Sequence, residues 1–362
     1  MMVSQGALGS ALSAVQDPLL QRSLHSLGMI RSVKARRFGS PTVTLALPVP
    51  NYPELSELAK RMREAAANLV SDLELRTEEM SDAERAEMMA RVRREAGPGP
   101  GETGSRTRVV AVSSGKGGVG KSSVTTNLAL ALEEVGRKVG VIDADIWGFS
   151  IPQMLGIDRA PVVIEQSIVP PRAHGVSVMS MDYFVPDDRA VIWRGPMLHK
   201  ALEQFLKDVF WDSPDYLLID MPPGTGDIAI SIQNFLPRSQ VLLVTTPQPT
   251  AQRVARRAAL MAAQVNQEVI GVVENMSWFT GDDGTRYELF GSGGGEALAT
   301  EVGVPLMARI PLLPLMREGA DRGEPVTIAA PRSEVAEAFS RLADAVEKAR
   351  PRIRSHPELV IR

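Results

Sequence analysis

Along the last two thirds of the chain, short and almost continuously apolar runs recur, with room for a helix between one run and the next. They fall at residues 109–112, 139–142, 176–181, 216–219, 241–245, 269–273 and 307–310. Strands that lack a polar face are buried on both sides, and the intervals suit covering helices. The pattern predicts an α/β fold, a doubly wound and mostly parallel sheet.

The start of the chain has a different rhythm. An apolar-periodic helix over 7–15 stops at Asp17-Pro18, and two strands, 30–36 and 42–47, flank the turn Phe38-Gly39-Ser40. After Pro53, the residues Leu55, Leu58, Met62, Ala65, Ala66 and Leu69 repeat at helical spacing. Residues 1–75 are therefore expected to form a small α/β domain. Residues 74–95 are charge-dense and mostly good helix formers, and 97–106 carry the Gly/Pro punctuation of a linker, so 76–106 reads as a charged helix and tether. The sheet domain then spans 107–349, and the basic, proline-broken residues 350–362 are expected to be a frayed tail.

Composition narrows the chemistry more than the fold. Forty Lys+Arg against 43 Asp+Glu leave a net charge of −3, which gives no electrostatic pointer to nucleic acid. No apolar run approaches the ~18 residues of a membrane span, and no secretory leader is visible, so a cytoplasmic protein is expected. Cysteine is absent. That excludes disulfides, thiol catalysis, thiolate zinc and an iron–sulfur cluster held by this chain's own thiolates. His25, His174, His199 and His356 never fall at ligand spacing, so the metal to expect is a hard cation bound by hydroxyl, carboxylate and phosphate oxygens.

The first strand runs into Gly115-Lys116-Gly117-Gly118-Val119-Gly120-Lys121-Ser122, and a helix begins near Lys121. This is G-x-x-x-x-G-K-[ST] in the strand–loop–helix setting its mechanism needs. Glycines let backbone N–H groups turn around phosphate oxygens, and the helix N-terminus adds positive character. Lys121 is assigned to the β- and γ-phosphates and Ser122 to Mg²⁺, with residues 115–123, Ser123 included, as the ATP-binding set. Lys116 is a second lysine that a generic phosphate loop does not need. With it, the loop resembles the deviant Walker A of the MinD/ParA/ArsA group. The resemblance implies that Lys116 reaches nucleotide phosphates across a homodimer interface, adding positive charge at the transferring group.

The strand at 216–219 ends in Asp220, and Met221-Pro222-Pro223-Gly224-Thr225-Gly226-Asp227 follow. In a doubly wound sheet such strand ends converge on the ligand crevice, so Asp220 suits a Mg²⁺-holding role and Gly224 can offer its N–H to a γ-phosphate, with 222–227 as a switch. Asp143 and Asp145 end the second strand. Asp145 resembles the family aspartate that positions the attacking water and Asp143 suits the metal shell, with turn or helix capping the alternative for both.

Further stretches narrow the resemblance: Val191-Ile-Trp-Arg-Gly-Pro-Met197, 220–227, Glu274-Asn-Met-Ser277 and Phe290-Gly-Ser-Gly-Gly-Gly295. From 107 to about 345 the chain resembles the Mrp/ApbC ATP-binding proteins, and the residues ahead of the linker resemble a small domain of iron–sulfur assembly factors. This implies ATP hydrolysis with Mg²⁺, adenine recognition by Asn275, and assembly or transfer of iron–sulfur clusters to apoproteins or with assembly factors. Cluster-carrying members place Cys-x-x-Cys just after Glu-Asn-Met-Ser; here residues 278–287 hold none, and Asn51 stands near where relatives often have cysteine. Asp282-Asp283-Gly284 reads as a turn. The competing readings are a positioning ATPase of the ParA/MinD type, using DNA through Arg253, Arg256 and Arg257 or using a membrane, and a nucleotide-switched scaffold.

Overall fold

The computed structural model describes residues 5–34, 40–145, 148–184, 195–223 and 227–349. Two compact units partition the chain: Met1–Gly97 together with Val162–Val169, and Pro98–Pro161 together with Pro170–Arg362.

The first unit carries a three-stranded sheet in which β1 (Ile30–Lys34) runs antiparallel to β2 (Thr42–Leu47), and β2 runs parallel to β3 (Glu74–Glu79). Helix Leu55–Ala66 buries Leu58, Ala59, Met62 and Ala66 on one face, while Ala65, expected in that stripe, is exposed. Residues 74–79 correct the expectation of a continuous charged helix. Leu73, Leu75 and Thr77 alternate with charged residues, and Thr42 Oγ1 donates to the Glu74 carboxylate at 2.9 Å across the strand pair. Extended pairing with β2 overrides helix propensity here, and the exposed charges of β3 guard an open sheet edge. The helix begins later, at Asp82–Ala96, from a capping box in which Ser81 and Glu84 bond each other's backbone N–H.

A hairpin absent from the sequence reading completes this unit. Strands Val162–Ile164 and Ser167–Val169 pair antiparallel, with Ile164, Ser167 and Val169 buried. Glu165 meets Arg85 at 3.0 Å, and Arg93 Nε donates to Ser167 Oγ at 3.0 Å.

The second unit is built on the expected sheet. Its strands are β4 (Arg108–Ser114), β5 (Val139–Asp143), β6 (Val176–Ser180), β7 (Tyr216–Asp220), β8 (Gln240–Thr245), β9 (Glu268–Thr280) and β10 (Leu306–Leu312). Across the sheet the order is β9-β8-β4-β7-β5-β6, with β10 against β9, and all these pairs are parallel. Short antiparallel strands, Arg286–Tyr287 and Arg172–Ala173, add to β9 and β6. Val110, Val112, Leu242 and Val244 pack with Leu128, Phe339 and Leu342 of helices Lys121–Glu134 and Glu334–Lys348. On the opposite face, Ala111, Ser113 and Val241 line one small cavity together with Ala229, Ala258 and Met261 of helices Asp227–Phe235 and Pro249–Gln264. Helices thus cover both faces, as a doubly wound sheet requires.

β4 lies between β7 and β8, although β5 follows it in sequence. The chain reverses its direction of winding there, which opens a crevice at the carboxyl end of β4. The glycine-rich loop leaves the sheet at that point.

Candidate functional site

The loop is shaped by what its glycines leave out. A Cβ on Gly115 would stand 2.2 Å from the backbone N of Ala255, so only glycine lets β4 end against helix Pro249–Gln264. Gly118 and Gly120 have φ of +77° and +80°, where side chains are strained. Added Cβ atoms on Gly117 and Gly118 would meet nothing, so the outer edge of the loop is bare backbone. Helix Lys121–Glu134 starts at Gly120 with no side chain capping it. Its first-turn amides suit an anion, which the helix's positive end also attracts.

Behind the loop, three donors converge on one buried carboxylate. Lys121 Nζ donates to Asp220 Oδ2 at 2.7 Å and Ser122 Oγ donates to the same oxygen at 2.6 Å. Thr125 Oγ1 donates to Oδ1 at 2.8 Å. Burial pushes the Asp220 carboxyl up, and Lys121, Ser122 and Thr125 pull it down. Lys121 also stands 3.4 Å from Asp145 Oδ2. The other carboxylate oxygen of Asp145 is buried without a hydrogen-bond partner.

Among the described residues no cluster of three or more His, Asp or Glu gathers around a metal position. The donor set beside the loop is instead one hydroxyl and one carboxylate, Ser122 and Asp220. All-oxygen ligation completed by phosphate oxygens and water is what Mg²⁺ prefers, so these residues fit that ion.

Of the two roles open to Asp143, the structure matches capping. Its Oδ2 accepts from the N–H groups of Ser150 and Ile151, at 3.1 and 3.2 Å, and from Ser180 Oγ. Its Oδ1 accepts from Asp145 N. Burial, and then the charge of Asp220, push the Asp143 carboxyl up to about 7. Both of its oxygens are engaged by the chain's own backbone N–H groups.

Lys116 Nζ donates to Gln248 Oε1 at 3.0 Å. Asn275 is buried within β9, one residue past that strand's last pair with β8, and its Nδ2 donates to Val119 O at 2.9 Å. The neighbouring Glu274 accepts from Gly295 N at 2.5 Å and from Ser277 Oγ at 3.0 Å, tying Glu-Asn-Met-Ser to the glycine stretch 290–295. The structure therefore brings together Gly115–Ser123, Asp145, Asp220 and Asn275 around one loop. Gly224 lies outside the described residues. Sequence reasoning missed Ser114, Thr125 and Gln248. Thr125 had a signal, because it sits one helical turn after Lys121 and so shares its face.

The segment that follows Glu-Asn-Met-Ser is a closed turn. Gly281 N donates to Thr285 O, and Asp283 accepts from Thr285 through both its oxygens, at 2.9 and 2.8 Å. Those bonds hold the Asp283 carboxyl below the usual range. Arg286 lies over the Trp278 ring, 4.6 Å from its centre, and pairs with Glu334. In the basic cluster on helix Pro249–Gln264, Arg256 is bound to Glu301 at 2.8 Å. No described helix is long and apolar enough to cross a membrane.

The family described as NUBPL iron-transfer P-loop NTPase matches residues 105–347, and the one described as iron-sulfur cluster assembly protein matches residues 7–78. The iron-sulfur cluster carrier protein of Mycobacterium leprae is 43% identical over 360 residues, covering 96% of this chain and 94% of that protein. That of Bacillus subtilis is 40% identical over 319 residues, with 86% and 89% covered. Among solved structures, a nucleotide-binding protein from Archaeoglobus fulgidus in complex with ADP superposes with a TM-score of 0.55 at 33% identity, covering 64% of this chain and 91% of that one. The septum site-determining protein MinD of Pyrococcus horikoshii, complexed with Mg-ADP, gives 0.53 at 27% identity, covering 67% and 96%.

Proposed function

The chain belongs to the iron-transfer P-loop NTPase family, and from that membership we propose a homodimeric factor that binds and slowly hydrolyses Mg-ATP to serve delivery of iron–sulfur clusters to apoproteins. The observation that carries this reading is the convergence of Lys121, Ser122 and Thr125 on the buried Asp220 beneath an open glycine loop.

In this reading the amides of 115–123 hold the β- and γ-phosphates, and Lys121 moves from Asp220 to a phosphate oxygen. Ser122 and Asp220 hold Mg²⁺, which when bound neutralises phosphate charge. Asp145, with one oxygen unsatisfied, orients the water that attacks the γ-phosphate. Lys116, released from Gln248, serves the nucleotide of a second copy.

The cluster is cargo. With no cysteine in the chain and both Asp283 oxygens spent on Thr285, the donors here do not fit an iron–sulfur cluster. We assign the cluster's thiolates to the partners that this chain serves and the nucleotide switch to the chain itself.

Nucleotide binding and Mg²⁺-dependent phosphate release, measured side by side, test this. Lys121→Ala is expected to lose ATP binding. Asp145→Ala is expected to keep it while hydrolysis falls about a hundredfold, the scale of a lost positioned acid–base group. Wild-type turnover in Asp145→Ala removes that residue's role, and no Mg-ATP binding by the wild type removes the whole reading.

A further inference from the structure

Lys116 and Gln248 meet from backbones that are held in one frame. Ser114 Oγ donates to Lys116 O at 3.0 Å, which pins the lysine's own carbonyl. Gly115, the residue before it, lies so close to Val254 and Ala255 of helix Pro249–Gln264 that not even a Cβ would fit. Gln248 stands at the start of that same helix, where its backbone carbonyl accepts from Ala251 N at 3.0 Å. The two side chains, both half-buried, are the parts left free to swing.

A helix start favours Ser, Thr, Asp or Asn, whose short side chains bond the first-turn N–H groups. Gln248 makes no such bond. Its Oε1 accepts from Lys116 Nζ at 3.0 Å instead. An ammonium only donates, so the amide edge turned to it is the carbonyl edge. That acceptor is neutral, and a hydrogen bond with charge on both partners is the stronger kind. A phosphate oxygen therefore outcompetes Gln248 for Lys116, whereas a carboxylate at 248 would hold the lysine back.

We propose that Gln248 is a positioning residue, a latch that keeps Lys116 on its own chain until the triphosphate of a second copy draws it away. Pairing of two copies then breaks two such bonds, one on each chain, and the latch sets how much protein is needed before Lys116 is in place. The inference rests on the reading of Lys116 as serving the nucleotide of a second copy.

Sedimentation of the full chain with magnesium and the non-hydrolysable β,γ-imido analogue of ATP gives the dimer dissociation constant. Gln248→Ala is expected to tighten the dimer about tenfold, two hydrogen bonds of roughly threefold each, although it takes a side chain away. Gln248→Glu, which keeps the shape and adds a charge, is expected to loosen it. Phosphate release from ATP should follow, with half-maximal turnover per chain reached at lower protein concentration in Gln248→Ala and at higher concentration in Gln248→Glu. A Gln248→Ala dimer no tighter than the wild type overturns the latch, and a weaker one is what a merely structural side chain would give. A wild type that binds the analogue and stays monomeric overturns the reading of Lys116 itself. One that binds no nucleotide overturns the ATP-site reading, and this inference with it.

Discussion

Asp143 shows how one residue's surroundings set its chemistry. It accepts from Ser150, Ile151 and Ser180 in a buried place beside Asp220, and its carboxyl is raised to about 7 from an unfolded value near 3.8. Between those values the folded protein keeps a proton that the unfolded chain has lost, so stability falls as pH rises through the interval. The urea midpoint of the nucleotide- and Mg-free protein is expected to decline from about pH 4 to about pH 7, and Asp143→Asn to flatten that decline. An unchanged slope in the variant would place the titration on another group. Residues of this kind set the limit of sequence reading. The loop 115–122 is legible because its chemistry is contiguous and each glycine has a local reason. Asn275 gripping Val119, 156 positions away, is not, because only the register of β9 beside β8 and β4 brings them together.

At the scale of elements, the buried strands were the clearest signal and the exposed ones the faintest. β4 to β8 follow from unbroken apolar runs. β3 was hidden by its charges, although Leu73, Leu75 and Thr77 alternate, because composition and period pull opposite ways on an edge strand. The start of the helix after it, by contrast, is written in Ser81 and Glu84, each bonding the other's backbone. Ser81→Ala is expected to lower the stability of the first unit by ~1 kcal/mol, measured by urea unfolding. A change below a few tenths of that figure would mean that Arg31, which also pairs with Glu84, holds the helix start by itself. The hairpin at 162–169 escaped notice because its strands are only three residues each, too short to show a period.

At the scale of the molecule, the sheet order gathers at one crevice the loop after β4, Asp143 and Asp145 at the end of β5, Asp220 at the end of β7, and Asn275 of β9, one residue past that strand's last pair with β8. What the chain lacks is as decisive as what it gathers there. After anaerobic incubation with iron and sulfide, the purified protein is expected to hold no stoichiometric cluster while still hydrolysing Mg-ATP. A bound, transferable cluster would move the cargo site onto this chain.

The hairpin between Pro161 and Pro170 has a consequence for how the protein can be taken apart. The first unit is discontinuous in the gene: a fragment ending at Gly97 would leave Arg85 and Arg93 without Glu165 and Ser167. The complementary fragment would carry Ile164 and Val169 into water. Neither half can be excised cleanly, and insertion, deletion or recombination at the glycine–proline stretch would sever a unit that the chain finishes folding some sixty residues later.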